Sequence, residues 1–301
     1  MRPVLFVVLS AVCFGTTGTA QVYGPDAASS TAVGLTRIVA GGALLGVVAW
    51  WVARRGVSRA SSSWRSPRAD GLVVLVAGAA VLAYQPAFFA GAHLNGVAIG
   101  AVVTIGAAPV LTGLLEWLQT RELPSRTWFV GTSAAVVGVV LLSGLLEGAG
   151  HDVSLPGLAG SLGAAASYAV YTVAAKRLLT AGWTPTASIG SIFATAAVLG
   201  APFLLLVDLS WVGSPSGVAM IGWLAIVTVV IAYVLFATGL QSLSASTVST
   251  LTLVEPLTAC VLGLVLLDER LSAGGWTGLV VLLAGVVVLA RPRPRPAEVP
   301  A

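Results

Sequence analysis

One block of the sequence occurs twice, and the second copy lies 147 residues after the first. Residues 98–142 match residues 245–289, and the matched pairs are Pro109 and Pro256, Glu122 and Glu269, Gly131 and Gly278, and Gly138 and Gly285. Each copy has an apolar segment with a central proline, an acidic turn, and a second apolar segment whose glycines share one helix face. The duplication predicts two related structural units, with the first apolar helix of each unit broken at its proline.

The composition places both units in a membrane. Of the 301 residues, 57% are hydrophobic and 9% are charged, whereas soluble domains carry roughly 25% charged residues. Apolar runs of about 20 residues recur along the chain, which is the length a helix needs to cross a hydrocarbon core of roughly 30 Å. We therefore predict an all-α membrane protein with ten transmembrane helices. The predicted spans are 3–22, 31–51, 70–90, 96–119, 126–146, 156–176, 185–207, 216–238, 244–267 and 272–290.

An odd number of spans in each copy means that the two copies cross the bilayer in opposite directions. We predict a first five-helix repeat over 1–146, an external link over 147–152 and a second five-helix repeat over 153–290. A disordered basic tail is predicted over 291–301, where arginine alternates with proline. Inverted repeats of this kind are typical of secondary transporters, whose substrate site lies between the repeats.

Lysine and arginine fall on one side of the predicted membrane, and only Arg270 departs from this pattern. The positive-inside rule then places both termini in the cytoplasm. The basic residues of that side are Arg2, Arg54, Arg55, Arg59, Arg65, Arg68, Arg121, Arg126, Lys176, Arg177, Arg291, Arg293 and Arg295. The net charge of +4 therefore encodes orientation, and we expect no nucleic-acid partner.

Several kinds of site have no sequence support. Cys13 and Cys260 are isolated within spans, and His93 and His151 lie at loop edges, so no metal-ligand spacing is present. The chain has no glycine-rich phosphate loop and no clustered carboxylates for hydrolysis. We expect no cofactor, no metal and no enzymatic activity.

Glu255 is the clearest ionisable group within a span. It lies near the middle of the ninth span, directly before Pro256, and a charge at the bilayer centre costs at least about 2.5 kcal/mol. One interpretation is that its carboxyl takes up and releases a proton during ion-coupled transport. The other is a structural role, in which protonated Glu255 bonds to a carbonyl that Pro256 leaves free. The equivalent position in the first copy is Ala108, so a proton role would not be duplicated.

Arg37 and Glu116 are two further charged residues within spans. The forked guanidinium of Arg37 could receive a substrate carboxylate, and the alternatives are snorkelling or structural ion pairing. Glu116 could pair with another charge. We therefore assign Glu255, Arg37 and Glu116 to coupling or charge pairing.

Polar and aromatic side chains within the spans form a second group of candidates. Each is compatible with helix packing, but together they suit a cavity for an amphipathic solute. The candidate cavity-lining residues are Phe14, Thr17, Tyr84, Gln85, Phe88, Tyr168, Tyr171, Tyr233 and Thr252.

The pattern resembles the drug/metabolite transporter superfamily, and specifically its EamA-like exporters. The resemblance covers nearly the whole chain. It rests on the proline of each fourth helix followed thirteen residues later by glutamate, on Arg37, and on the runs Glu255-Pro256-Leu257, Phe14-Gly15-Thr16 and Tyr84-Gln85. The sugar-phosphate and nucleotide-sugar branches fit less well, because a phosphate site would need more than one arginine within the spans.

The resemblance implies export of amino acids or related small metabolites through a central cavity, in the bacterial cytoplasmic membrane and without a cofactor. We predict a secondary-active or facilitative transporter in which the two halves rock about the midplane. The expected partners are a small-molecule substrate, the lipid bilayer, protons as a candidate coupling ion, and a second copy as a candidate dimer partner. The alternatives are a membrane-embedded lipid-modifying enzyme and a passive channel.

Overall fold

A computed structural model describes residues 2–55, 67–145, 154–267 and 270–290. Within these ranges all regular secondary structure is helical, which confirms the predicted fold class. The predicted link 147–152 and the basic tail 291–301 lie outside the described residues, as do the duplicated acid Glu269 and residues 56–66.

The first repeat contains five uninterrupted helices. Serine side chains start two of them: the Ser29 hydroxyl accepts the Ala32 N–H, and the Ser125 hydroxyl accepts the Trp128 N–H. Their bounds are α1 (Arg2–Val22), α2 (Ser30–Arg54), α3 (Pro67–Asn95), α4 (Val97–Thr120) and α5 (Arg126–Leu142).

The second repeat also has five spans, but the later ones are divided. The α-helices are α6 (Leu155–Thr180), α7 (Pro185–Gly200), α8 (Pro215–Ala225), α9 (Ala232–Ser242), α10 (Ala245–Leu251), α11 (Val254–Leu266) and α12 (Ala273–Ala290). A 3₁₀ segment over Ala201–Leu206 extends α7, and a π-helical turn over Ile226–Ile231 joins α8 to α9. Thus α8 and α9 form the eighth span, α10 and α11 the ninth, and α12 the tenth.

The helix lengths agree with membrane insertion. Among the described residues, nine helical segments have the length and apolar composition needed to cross a bilayer. The tenth, α5, has 17 residues, which lies at the short end of the range for a spanning helix.

The prediction that both duplicated helices are broken at their prolines is wrong for the first copy, and in the second copy the break precedes Pro256, which lies inside α11. Pro109 lies inside the continuous helix α4, whereas the ninth span is interrupted between Leu251 and Val254. Hydroxyl groups explain the difference. In the ninth span, Thr250 and Thr252 donate to the carbonyls of Ser246 and Ser249, and they compete with the helical ladder. The equivalent positions of α4 are valine and isoleucine, which cannot do so.

Each repeat contributes its first helix to the other repeat. Helix α1 packs against α9 and α11, and α6 packs against α3 and α4. The second and seventh spans pack together, and so do the fifth and tenth. This pattern is unchanged when each helix is exchanged with its counterpart five spans away, as a pseudo-two-fold axis between the repeats requires.

The duplicated glycines form the contact between α5 and α12. A Cβ atom on Gly138 would collide with the backbone nitrogen of Leu282, and one on Gly285 would lie 2.6 Å from the nitrogen of Ala135. Gly131 and Gly278 make the reciprocal contacts with the opposite helix. The absence of side chains therefore allows the two backbones to approach closely.

We expect Gly138→Ala to destabilise the protein by about 1–3 kcal/mol, because the added methyl group meets backbone that cannot move aside. Gly18→Ala is the matched control, since a Cβ there has no neighbour within 4 Å and alanine favours helix by about 1 kcal/mol. Reversible unfolding in mixed micelles measures both changes. Equal stability of the two variants would contradict the close contact.

Candidate functional site

A partly open cavity of about 80 Å³ lies between the repeats. Residues from six spans line it, and they combine aromatic rings, hydroxyl groups, one amide and two opposite charges. The lining residues are Phe14, Arg37, Ile38, Val81, Tyr84, Gln85, Tyr168, Tyr171, Tyr233, Thr252 and Glu255.

Aromatic rings form one wall of the cavity. The hydroxyl oxygens of Tyr171 and Tyr233 are 3.4 Å apart, and the Tyr168 hydroxyl lies 3.0 Å from Thr252 Oγ1. The ring of Tyr233 also meets Phe14 edge to face, with centroids 4.9 Å apart. Phe193 packs behind this wall, with its ring centroid 4.1 Å from that of Tyr233. The wall is thus apolar in its body and carries hydroxyl groups bonded to one another.

The interruption of the ninth span positions Glu255. The N–H of Leu253 bonds to the Thr250 carbonyl at 3.0 Å, and the N–H of Glu255 bonds to the Thr252 carbonyl at 2.9 Å. These tight turns end α10 and start α11, and they place Glu255 in the first turn of α11. The positive end of the helix dipole favours a carboxylate at this position. Gly15 of α1 packs directly on this segment, because a Cβ there would lie 2.8 Å from the Glu255 carbonyl oxygen.

Arg37 reaches the cavity from α2. Its Nη2 donates to the Thr228 carbonyl at 3.3 Å, and its Nε is buried without a partner among the described residues. A buried donor left unsatisfied costs roughly 1–3 kcal/mol, so an acceptor that reached Nε would remove this cost. Arg37 and Glu255 also interact electrostatically across the cavity.

Thr228 is a contributor that the sequence analysis did not identify. It lies in the π-helical turn of the eighth span, and its hydroxyl donates to the Leu224 carbonyl at 2.7 Å. π-Helical turns occur mostly as single insertions and are frequent at functional sites. A threonine within an otherwise aliphatic run was the only local signal, and such a signal is common in membrane helices.

Gln85 enters from α3, whose helix continues through Pro86. The amide of Gln85 lies over Gly34 of α2, where a Cβ would be 2.8 Å from Gln85 Oε1. Tyr84, on the preceding residue, stacks its ring on Phe88 with the planes 5° apart. A glycine on α2 thus makes room for the amide next to Arg37.

Three predicted site residues lie outside the cavity lining. Phe88 is one turn from the cavity, behind Tyr84. Thr17 has a buried hydroxyl without a partner among the described residues. Glu116 caps α10, because its Oε1 accepts the Ala245 N–H at 2.7 Å and its Oε2 accepts the Ser246 N–H at 2.9 Å.

Glu116 also interacts electrostatically with Lys176 of α6. The Lys176 ammonium donates to the carbonyls of Leu240 and Leu243 at 2.9 and 2.8 Å, and therefore holds the turn that Glu116 caps. These contacts assign Glu116 a structural role at the turn between α9 and α10.

Comparison with known proteins agrees with this architecture. The sequence matches the EamA-like transporter family twice, over residues 1–144 and 155–291. It is 34% identical over 290 residues to the uncharacterized transporter YwfM of Bacillus subtilis (strain 168), and the match covers 96% of this chain and 94% of that protein. A solved crystal structure superposes with a TM-score of 0.78, at 20% identity and with 96% of each chain covered. That last likeness shows the fold alone.

The fold and the two family matches define a multi-pass membrane transporter of the drug/metabolite transporter superfamily. The chain belongs to the EamA-like transporter family.

Proposed function

We propose that the protein exports amino acids or related amphipathic small metabolites by alternating access. The observation that carries this proposal is the pair of opposite charges, Arg37 and Glu255, that face one tyrosine-lined cavity. A small zwitterion is the solute that complements both charges. The direction of transport is taken from the family resemblance.

The charges argue for a zwitterion rather than a simple anion or cation. The Arg37 guanidinium, with a free Nε, suits a carboxylate, because two oxygens can accept from its forked donors. The Glu255 carboxylate suits an ammonium group. A solute with an ammonium group alone would leave Arg37 without a direct anionic partner, and a solute with a carboxylate alone would leave Glu255 to be neutralised by a proton; both cases are less favourable than a zwitterion.

The remaining lining residues suit a small amphipathic side chain. The rings of Phe14, Tyr168, Tyr171 and Tyr233 offer apolar surface, and the hydroxyl groups of the three tyrosines can accept or donate where the solute is polar. The volume of the cavity limits the size of the solute that it can hold. About 80 Å³ is well below the 300–1,000 Å³ typical of sites for drug-sized ligands, so the cavity must expand to admit a solute.

Expansion requires the bundles that meet at the cavity to separate. The helix contacts support moving units that differ from the two sequence halves, because α1 packs with the second repeat and α6 with the first. One unit contains α3, α4 and α6, and the other contains α1 with the eighth and ninth spans. Rocking of these units exposes the cavity to one side of the membrane at a time.

Proton coupling is part of the proposal because Glu255 is the one carboxylate among the described residues that line the cavity. Glu255 can be neutralised by a proton or by the ammonium group of the solute, and the two compete for the same oxygens. A buried, charged carboxylate with neither partner is costly, because only Arg37 across the cavity then offsets its charge. Export of the solute against entry of a proton is therefore the coupled form of this mechanism, and facilitative transport is the uncoupled form.

In this proposal the protein lies in the bacterial cytoplasmic membrane with both termini in the cytoplasm, as the positive-inside rule indicates. Its partners are the solute, the lipid bilayer and protons. No step requires a cofactor, and a homodimer is compatible with the mechanism without being needed for it.

Counterflow into proteoliposomes tests the substrate class. Vesicles preloaded with an amino acid should accumulate the same radiolabelled amino acid, and each zwitterion should compete at least about tenfold better than its decarboxylated amine or its deaminated acid. Equal competition by all three compounds would contradict zwitterion recognition. Turnover of a lipid by the purified protein, or single-channel conductance, would instead support the enzyme or channel alternatives.

A further inference from the structure

An apolar groove lies on the outer surface between α2 and α7, away from the central cavity. Its volume is about 590 Å³. Aliphatic residues and one tryptophan line it, and these residues are Val39, Ala43, Gly46, Val47, Trp50, Ala194, Ala197, Val198 and Ala201. We call this surface the α2–α7 groove.

The groove results from close packing of two helices that have small residues on one flank. A Cβ on Gly42 would collide with the Phe193 carbonyl, and a Cβ on Gly46 would lie 2.8 Å from Ala194 Cβ. The closely packed backbones of α2 and α7 therefore form the bottom of the groove. Val47 and Val198 stand at its edges, and they are 59% and 74% exposed.

One end of the groove carries positive charge. Trp50 lines this end, and the guanidinium carbon of Arg54 lies 4.0 Å from the centre of the Trp50 ring. Arg55 makes the same contact with Trp51, at 3.5 Å. Stacking on a ring fixes the plane of each guanidinium while its N–H edge stays free for oxygen acceptors.

The groove has the length of one lipid leaflet. Val39 and Trp50 are eleven residues apart on α2, which corresponds to about 16 Å along the helix. Half of the hydrocarbon core of a bilayer is about 15 Å. The groove therefore runs from near the middle of the bilayer to the headgroup layer, where tryptophan and arginine are favoured.

We propose that the α2–α7 groove binds one anionic phospholipid. An acyl chain lies along the groove from Trp50 to Val39, and the phosphate accepts from Arg54 and Arg55. Charge complementarity selects this occupant over a second copy of the chain, because two copies joined through this surface would bring their arginine pairs together. The leaflet is the one at the Arg54 end, which is cytoplasmic in the proposed orientation.

Native mass spectrometry of the purified full-length protein tests the proposal, with phosphatidylglycerol or phosphatidylcholine added to the detergent. Wild type should retain one phosphatidylglycerol at least about tenfold more tightly than phosphatidylcholine. Arg54→Gln/Arg55→Gln should weaken phosphatidylglycerol binding about thirtyfold and remove most of the preference over phosphatidylcholine, whose phosphate charge is already offset by its choline cation. Ala43→Phe, at an exposed lining position, should weaken both lipids because the ring fills the groove.

Two control variants match these changes. Arg126→Gln/Arg177→Gln removes two exposed charges from the same predicted face, and Ala79→Phe adds a ring to an exposed position of α3. Both should bind lipid as wild type does. Equal retention of the two lipids by wild type, or unchanged binding by Ala43→Phe, would overturn the proposal. So would a dimer peak that Ala43→Phe removes, because the occupant would then be a second copy.

Discussion

Arg37→Gln should lower the affinity of the transporter for its amino acid about a hundredfold. In the proposed complex, the Arg37 guanidinium and the solute carboxylate form a buried, hydrogen-bonded charge pair. Truncation of one member of such a pair typically costs roughly 2–5 kcal/mol of binding free energy, and a hundredfold loss of affinity lies within that range. The amide of glutamine remains polar but cannot offer charged, forked donors to a carboxylate. Concentration dependence of counterflow in proteoliposomes measures the change.

The preference of the transporter for the zwitterion over its decarboxylated amine distinguishes carboxylate binding by Arg37 from a structural role of Arg37. Arg37 also bonds to the Thr228 carbonyl, so its loss could weaken transport by disturbing the π-helical turn. A structural defect would weaken the zwitterion and its decarboxylated amine alike, whereas loss of carboxylate binding removes the preference for the zwitterion. Arg37→Lys keeps the charge without the fork and should fall between glutamine and wild type. If Arg37→Gln kept the wild-type preference, the carboxylate assignment would be wrong.

The fold could be predicted from the sequence because two independent patterns agree. Apolar runs of spanning length give the helices, and the duplicated prolines, acids and glycines give the relation between the repeats. The glycine pair of each copy marks one helix face, and the structure shows that these two faces form the contact between α5 and α12. Each of these signals is local in sequence, or repeats at a fixed offset, and can therefore be recognised without coordinates.

No comparable sequence signal indicated that α1 packs with the second repeat and α6 with the first. Both helices are apolar around most of their circumference, so the sequence does not indicate which neighbour each one packs against. The rocking units consequently differ from the sequence halves that the duplication suggests. The unbroken course of α4 was missed for a different reason: a proline alone need not stop a membrane-spanning helix.

The candidate site residues were selected because a polar side chain within a membrane span is energetically costly. That cost alone does not distinguish a residue that binds the solute from one that stabilises the fold. Glu116 and Glu255 are both carboxylates within apolar segments. Glu116 caps the start of α10, whereas Glu255 faces the cavity. The two environments depend on where α10 begins and where the ninth span is interrupted, and both features arise from serine and threonine hydroxyls that bond to nearby backbone.

Glu255→Gln should abolish accumulation driven by a pH gradient, while counterflow continues with a lower affinity for the solute because the ammonium group loses its charged partner. Glutamine has nearly the same shape as glutamic acid but cannot release a proton, so the solute no longer exchanges against one. With one proton per solute, a gradient of one pH unit sustains about a tenfold concentration ratio in wild type. The ratio in the variant should fall to about one. Radiolabelled uptake at equilibrium, with an imposed pH gradient and no membrane potential, measures both values.

Glu116→Gln is the matched control, because it removes a carboxylate of another span that lies outside the cavity. It should keep the wild-type ratio even where the lost cap lowers its thermal stability. A Glu255→Gln variant that still accumulates solute tenfold would exclude Glu255 as the coupling group. A ratio of one in wild type itself would establish facilitative transport, and the carboxylate of Glu255 would then serve only to bind the ammonium group of the solute.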